Sequence, residues 1–342
     1  MDLNPSARGR ISGCMTKISF LDLVPVTEGG SVARSLANAA DLARHAEVLG
    51  FARYWVAEHH GMAGIASAAT SVVLAHIGQA TSTIRIAAGG IMLPNHAPMV
   101  IAEQFGTLEA LFPGRVDLGL GRAPGSDGRV AHALRRGLAG DERQFPQDVV
   151  ELQAFLAGDE RLGIRAVPGE GARVPLWILG SSLFGAQLAA MLGLPYAFAS
   201  HFAPDALDEA LALYRRQFKP SAALAEPYAA AAFNVFAAGS REEAELLASS
   251  QQQAFVALRT GNPGLLKPPV AGYKDGLPPS ARAILDHVLQ CSAVGTAQDV
   301  AAGLKDFIAR TGVDEVIVAS SMYDHDARKR SLALTMEAAR GL

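Results

Sequence analysis

Short apolar runs alternate along this chain with longer stretches in which apolar positions recur every three to four residues. Eight runs read as β-strands: ISFLDLV (18–24), YWVAEHH (54–60), IRIAAGG (84–90), RVDLGLG (115–121), PLWILG (175–180), YAFAS (196–200), AAFNVFAAG (231–239) and DEVIVAS (314–320). Most are apolar throughout, as strands of a parallel sheet buried on both faces should be. Helical periodicity predicts helices at about 31–49, 67–81, 97–112, 147–157, 183–192, 205–217, 241–258, 279–290, 297–311 and 325–340. Eightfold strand–helix alternation predicts a closed (β/α)8 TIM barrel, with a doubly wound open sheet as the alternative.

Two stretches break the rhythm. Residues 122–146 form a long charged loop after the fourth strand, and residues 259–280, rich in Pro and Gly, follow the seventh strand and its helix. Loops of this length are commonly lids or disordered; the second is expected to be mobile over the barrel mouth. Residues 1–14 read as a disordered N-terminal extension with Met15 as the functional start, leaving 15–342 as a single barrel domain.

Composition narrows the function. Half of the 342 residues are hydrophobic, and a net charge of −3 gives no electrostatic case for nucleic acid or an anionic membrane. No apolar run reaches the roughly 18 residues of a spanning helix, and the polar N-terminus lacks a signal-peptide core. Cys14 and Cys291 form no metal or disulfide pattern. A soluble cytoplasmic protein is expected.

In a barrel the chemistry sits at the C-terminal ends of the strands. The second ends in Glu58-His59-His60. Neighbours on an extended strand face opposite ways, so the two histidines are not expected to share an ion, and no carboxylate stands at metal spacing. One imidazole facing the cavity would serve as a general acid or base; the plainer reading is one histidine packed and one hydrogen-bonded. The third strand ends in Gly89-Gly90, which either allows close packing or leaves bare backbone for a planar ligand and an unusual peptide conformation. The fourth ends GLGRAPGSD, where Gly119, Gly121 and Gly125 lack dinucleotide-fingerprint spacing; Arg122 is a cation able to hold a phosphate. The fifth runs through Gly180-Ser181-Ser182-Leu183-Phe184-Gly185 into a helix, either an anion site at a helix N-terminus or an ordinary serine cap. No GxSxG elbow marks a serine hydrolase.

Together EHH, GGIMLPNHAP, AEQFGTLEALFPGR and LGLGRAPGSD resemble the bacterial luciferase-like family of flavin-dependent monooxygenases. LGSSLFGAQLAA, FASHF and SQQQAF resemble its subgroup without an assigned substrate. The resemblance runs from Met15 over essentially the whole chain. It implies an eight-stranded barrel that uses reduced FMN, in some members as a dissociable co-substrate, and O₂ to oxidise a small organic substrate through a C4a-peroxyflavin. It implies that His59 supports the oxygen chemistry and that Gly89-Gly90 forms a non-proline cis peptide beneath the flavin ring. Arg122, Ser181 and Ser182 would hold the phosphate, with Glu103 a carboxylate near the flavin. Gly185 replaces the family's threonine, so a backbone contact would stand in for its side chain. The helices at 67–81 and 97–112 resemble a homodimer interface, and a separate NAD(P)H:flavin reductase would supply electrons. No metal is expected. Hydride transfer with deazaflavin F420 and non-catalytic flavin binding are the alternatives. His96, His201 and Met322 are equally credible as pocket-lining, packed or exposed.

Overall fold

Every strand of this chain hydrogen-bonds in parallel to its neighbours, and the two ends of the series meet. The computed structural model describes residues 15–123, 128–134 and 142–342. Its strands are β1 (Lys17–Asp22), β2 (Arg53–Val56), β3 (Arg85–Met92), β4 (Val116–Gly121), β5 (Leu176–Gly180), β6 (Tyr196–Phe198), β7 (Ala229–Ala237), β8 (Ser292–Gly295) and β9 (Glu315–Ala319). Neighbours run β1-β2-β3-β4-β5-β6-β7-β9 and back to β1, which closes an eight-stranded (β/α)8 TIM barrel. The expected N-terminal extension, Gly125 and the middle of the loop after β4 lie outside the described residues.

The helices are α1 (Val32–Leu49), α2 (Thr70–Ala80), α3 (Pro98–Leu111), α4 (Gly128–Leu134), α5 (Phe145–Ala157), α6 (Leu183–Leu192), α7 (Leu207–Gln217), α8 (Arg241–Arg259), α9 (Pro279–Val288), α10 (Ala297–Thr311) and α11 (His325–Ala338). Local chemistry fixes their ends. The Ser31 side chain accepts from the Arg34 amide to start α1, and Gly50, at φ 87°, ends it in the left-handed region. A reciprocal capping box between Thr296 and Asp299 starts α10. Two elements are additions to the sequence pattern. β7 is long enough to leave the barrel wall, and β8 pairs beside its second half from Asn234↔Ser292 to Ala237↔Gly295. The short helix α4 occupies part of the charged loop after β4.

Side chains fill the barrel in layers. At the N-terminal floor lie Ser19, Arg53, Arg85, Asp117, Tyr228 and Glu315. Above them Trp55 meets Trp177 edge-on with ring centroids 5.2 Å apart. Toward the C-terminal mouth the inward positions include the small residues Ala57, Ala197, Ala232, Ala319, Gly89 and Gly119, with Leu21, Leu23 and Leu179 packed among them. The Pro/Gly-rich segment contacts the loop after β1 and the helix α8. Leu266 exchanges backbone hydrogen bonds with Val26 and Glu28 at 2.8 Å, and the Val270 amide donates to Ser249 Oγ at 2.8 Å. Among the described residues no helix is long and apolar enough to cross a membrane.

Candidate active site

The mouth is built by five strand ends. On β2 the inward alternation Arg53, Trp55, Ala57 continues to His59, while Glu58 and His60 take the other face. The Nδ1 of His59 is buried without a partner at hydrogen-bonding geometry. Burial holds its pKa below the ordinary histidine range, against the opposing pull of the Ala57 backbone and the Glu58 charge. His59 is therefore a neutral imidazole near neutral pH, able to accept a proton.

Glu58 works differently. It is buried, and its carboxylate accepts from His60 Nε2 at 2.7 Å, His96 Nε2 at 2.9 Å, the Met92 amide at 3.1 Å and Asn95 Nδ2 at 3.3 Å. Burial alone would raise its pKa; the bonds from His96, His60 and Met92 outweigh that and lower it. The Glu58 amide donates in turn to the Gly90 carbonyl at 3.1 Å. Glu58 thus ties the end of β2 to the end of β3. One reading from sequence is corrected here: a carboxylate does reach metal-ligand spacing. Donor atoms of Glu58, His60 and His96 lie within 4.8 Å of one another, because His96 arrives from the loop after the next strand. In the present arrangement these atoms bind each other.

Gly89-Gly90 is a cis, non-proline peptide bond, and the β3–β4 register shifts there. A methyl group on Gly90 would sit 2.7 Å from the Gly119 carbonyl oxygen, and one on Gly119 would strike the Ala88 carbonyl. Close strand approach is what these glycines permit; a wall of bare backbone is its consequence. A side chain on Gly89 would meet Trp55 at 3.1 Å, so the close-packing reading of the pair and its unusual peptide conformation are both seen.

Arg122, directly after β4, stacks its guanidinium 4.3 Å above the Phe184 ring in the first turn of α6. Among the described residues no carboxylate neutralises it. Ser182 is the N-cap of α6, yet its side chain makes no capping hydrogen bond, so it leaves the first-turn amides open. Ser181 is half-buried beside it on the inward parity of Trp177 and Leu179. Tyr196, which carries no sequence signal for this role, donates its hydroxyl to the Ser182 carbonyl at 3.2 Å. Its ring lies 3.4 Å from where a side chain on Gly185 would begin. A cation, open helix amides and hydroxyls in one corner fit a phosphate. Glu103 sits apart, half-buried in the second turn of α3, with no ion pair or side-chain hydrogen bond from its carboxylate among the described residues.

His201 lies three residues beyond the end of β6. Its Nδ1 is buried and unpartnered, and its pKa is pushed down to about 4 by burial and then by His59. Met322 is buried in a small cluster with Phe236, Ala248 and Ala327.

Residues 16–315 match the family model described as luciferase-like monooxygenase. This chain belongs to the luciferase-like monooxygenase family. A member of the family from Escherichia coli K12, itself named luciferase-like monooxygenase, is 52% identical over 320 residues, covering 93% of this chain and 96% of its own. The crystal structure of apo-MsnO8 is similar at TM-score 0.84 and 32% identity, covering 94% of this chain and 98% of that one. In fold alone the chain resembles the oxygenating constituent of 3,6-diketocamphane monooxygenase from Pseudomonas putida in complex with FMN (TM-score 0.70, 16% identity, 96% and 99% covered). It also resembles an F420-dependent secondary alcohol dehydrogenase in complex with an F420-acetone adduct (TM-score 0.64, 16% identity, 95% and 99% covered). Structural neighbours of this chain therefore include both FMN and F420 proteins.

Proposed function

We propose that this chain is a monooxygenase that uses reduced FMN and O₂ to oxidise a small organic substrate. The observation that carries the reading is the corner where Arg122 stacks on Phe184 beside the uncapped start of α6, next to the bare Gly89-Gly90 wall and His59. In this reading Arg122, Ser181, Ser182 and the α6 amides, including that of Gly185, hold the phosphate. The Gly89-Gly90 backbone receives the flat ring system, and His59 exchanges a proton with the reacting partner. Bound reduced flavin supplies the oxygen activation; the protein orients it and keeps out water. The docked 259–280 segment narrows the mouth on the side of β1 and β2.

Electrons come in this reading from a separate NAD(P)H:flavin reductase. A second copy of the chain docks on α2 and α3, where Val72 and Leu111 leave 68% and 53% of their surface in solvent. Glu103 is assigned no contact with the flavin.

Titrating the protein into FMN and following flavin fluorescence tests the reading. Saturable quenching is expected, together with oxidation of protein-bound reduced FMN by O₂ that is slower than in free solution, and loss of that protection in His59→Ala. Tighter binding of F420 than of FMN would move the chain to hydride transfer, a reading favoured by the F420-bound structural neighbour. Saturable FMN binding with reduced flavin oxidised as fast as in free solution would leave a flavin-binding protein without catalysis.

A further inference from the structure

Glu58, His60 and His96 have no part in the proposed flavin chemistry, yet sequence and fold combine to bring them together. Glu58 and His60, two residues apart, continue the alternation of β2 onto the face opposite His59. His96 is delivered by the tight turn Leu93–Asn95 after β3, whose three residues are buried; the turn closes with the His96 amide donating to the Leu93 carbonyl at 2.9 Å. Three nitrogens then converge on one oxygen. Glu58 Oε1 accepts from His60 Nε2 at 2.7 Å, His96 Nε2 at 2.9 Å and Asn95 Nδ2 at 3.3 Å, and the same His96 nitrogen lies 2.9 Å from Oε2. The Met92 amide donates to Oε2 at 3.1 Å.

The charge of this carboxylate is met differently from that of other buried acids in the chain. Its side chain is 1% exposed, yet among the described residues its ion-pair partners are the two imidazoles, and no Lys or Arg reaches it. Asp117 and Glu315 at the floor each meet arginine, as buried carboxylates ordinarily meet a full opposite charge. Two imidazoles and a carboxylate with donor atoms within 4.8 Å of one another are a ligand set for a divalent transition ion. Zinc bonds of about 2.0–2.2 Å at tetrahedral angles set ligand atoms about 3.4 Å apart, so each ring needs to swing back from Glu58 by less than about 1 Å. Both rings are partly exposed and have room to do so.

We propose that Glu58, His60 and His96 bind one Zn²⁺ ion through the carboxylate and the two Nε2 atoms, with water in the fourth position. Each ligating Nε2 gives up its proton to Nδ1 or to solvent, and the metal answers the Glu58 charge. The Met92 amide and Asn95 keep the carboxylate aimed, the part that outer partners play at metal sites. Because the Glu58 amide donates to the Gly90 carbonyl at 3.1 Å, the ion ties the end of β2 to the loop after β3 beside the Gly89-Gly90 peptide. A set of two nitrogens and one carboxylate selects Zn²⁺ over Mg²⁺ and Ca²⁺, which prefer oxygen ligands throughout. The site does not depend on which cofactor the barrel takes.

The test therefore uses no flavin. The full chain, freed of metal by dialysis against EDTA, is titrated with Co²⁺ as a spectroscopic stand-in and then with Zn²⁺, while ¹⁵N-histidine ring NMR follows the Zn²⁺ step. Saturation at one ion per chain is expected, with visible bands of four-coordinate Co²⁺ that Zn²⁺ bleaches and shifts of the His60 and His96 ring nitrogens. Mg²⁺ and Ca²⁺ should produce none of these. His96→Ala and Glu58→Gln should weaken Zn²⁺ binding by more than the roughly 10- to 100-fold that loss of an outer partner costs, and Asn95→Ala should fall within that range. His76→Ala, an exposed histidine on α2, should bind as wild type does. Wild type that takes up no ion, Zn²⁺ shifts confined to other histidines, or an equal response to Ca²⁺ overturns the site. The wild-type stoichiometry and spectra decide even where a variant misfolds.

Discussion

The floor and the mouth of this barrel both place ionisable side chains inside an apolar cylinder, and they treat them in opposite ways. At the floor, Glu315 accepts from Arg53, Ser19 and Tyr228, while Asp117 accepts from Arg53, Arg85 and Trp177. Arg53 also lies 5.0 Å over the Trp177 ring. Each buried charge there meets opposite charge and hydrogen bonds, the condition under which burial is tolerated. At the mouth, His59 and His201 keep buried nitrogens without partners, and α6 starts without a side-chain cap. A buried polar residue is therefore not by itself a sign of function. What separates the two ends is whether the fold supplies the partners.

Breaking the floor gives the largest expected effect. Glu315→Ala strands Arg53 with part of its charge unanswered, and urea denaturation should show a loss of about 3–5 kcal/mol. His59→Ala at the mouth should lose far less stability and let bound reduced FMN oxidise as fast as free flavin. If the two variants lost similar stability, the division of labour between the ends would fail.

The next effect comes from acid. The pKa of His201 is about 4 in the folded chain against an ordinary 6.5. A folded-state value below the unfolded one means that the unfolded chain binds more protons between those limits. Stability should therefore fall as pH drops from about 6.5 toward about 4, by up to ~3 kcal/mol. Denaturation midpoints measured across that range in wild type and His201→Asn check this. The variant should show the shallower slope, and equal slopes would place the ring in water.

Arg122→Ala should separate binding from folding more gently. It removes a charged hydrogen-bond donor from the α6 corner, and FMN affinity should fall roughly 10- to 100-fold with stability changed by about 0.5 kcal/mol or less. A parallel loss of stability would make the Phe184 stack structural instead.

The same contrast explains what the sequence disclosed. The strands and main helices were legible because each carries its own local period, and the strand ends could be singled out once a barrel was inferred. β8 was not legible: SAVG is four residues long, three of them small, and it pairs only because β7 overruns the barrel wall. The floor network was invisible because its partners lie 64 and 262 residues apart and no local spacing announces them. His96 meets Glu58 for the same nonlocal reason, 38 residues away. Gly89-Gly90 was readable as a backbone feature, since two adjacent glycines at a strand end lack side chains whatever the fold does. His201 could not be told from a packed histidine, because what marks it is a missing partner, and only the folded chain shows that.

The smallest effect probes the mouth where it is least protected. Gly185 lies inside α6, where glycine is less favourable than alanine by about 0.5–1 kcal/mol. A methyl group there would rest 3.4 Å from the Tyr196 ring and 3.8 Å from the Gly180 Cα, close to ordinary contact. Gly185→Ala should therefore raise stability by about 0.5 kcal/mol or more while weakening FMN binding, because the new side chain narrows the approach to the first-turn amides. That pairing of signs is the reverse of the one expected at the floor, where a substitution removes stability and leaves the mouth intact. Thermal melting and an FMN titration on the one variant measure both. Stability lost together with affinity would mean that Tyr196, rather than a ligand, determines the shape of this turn.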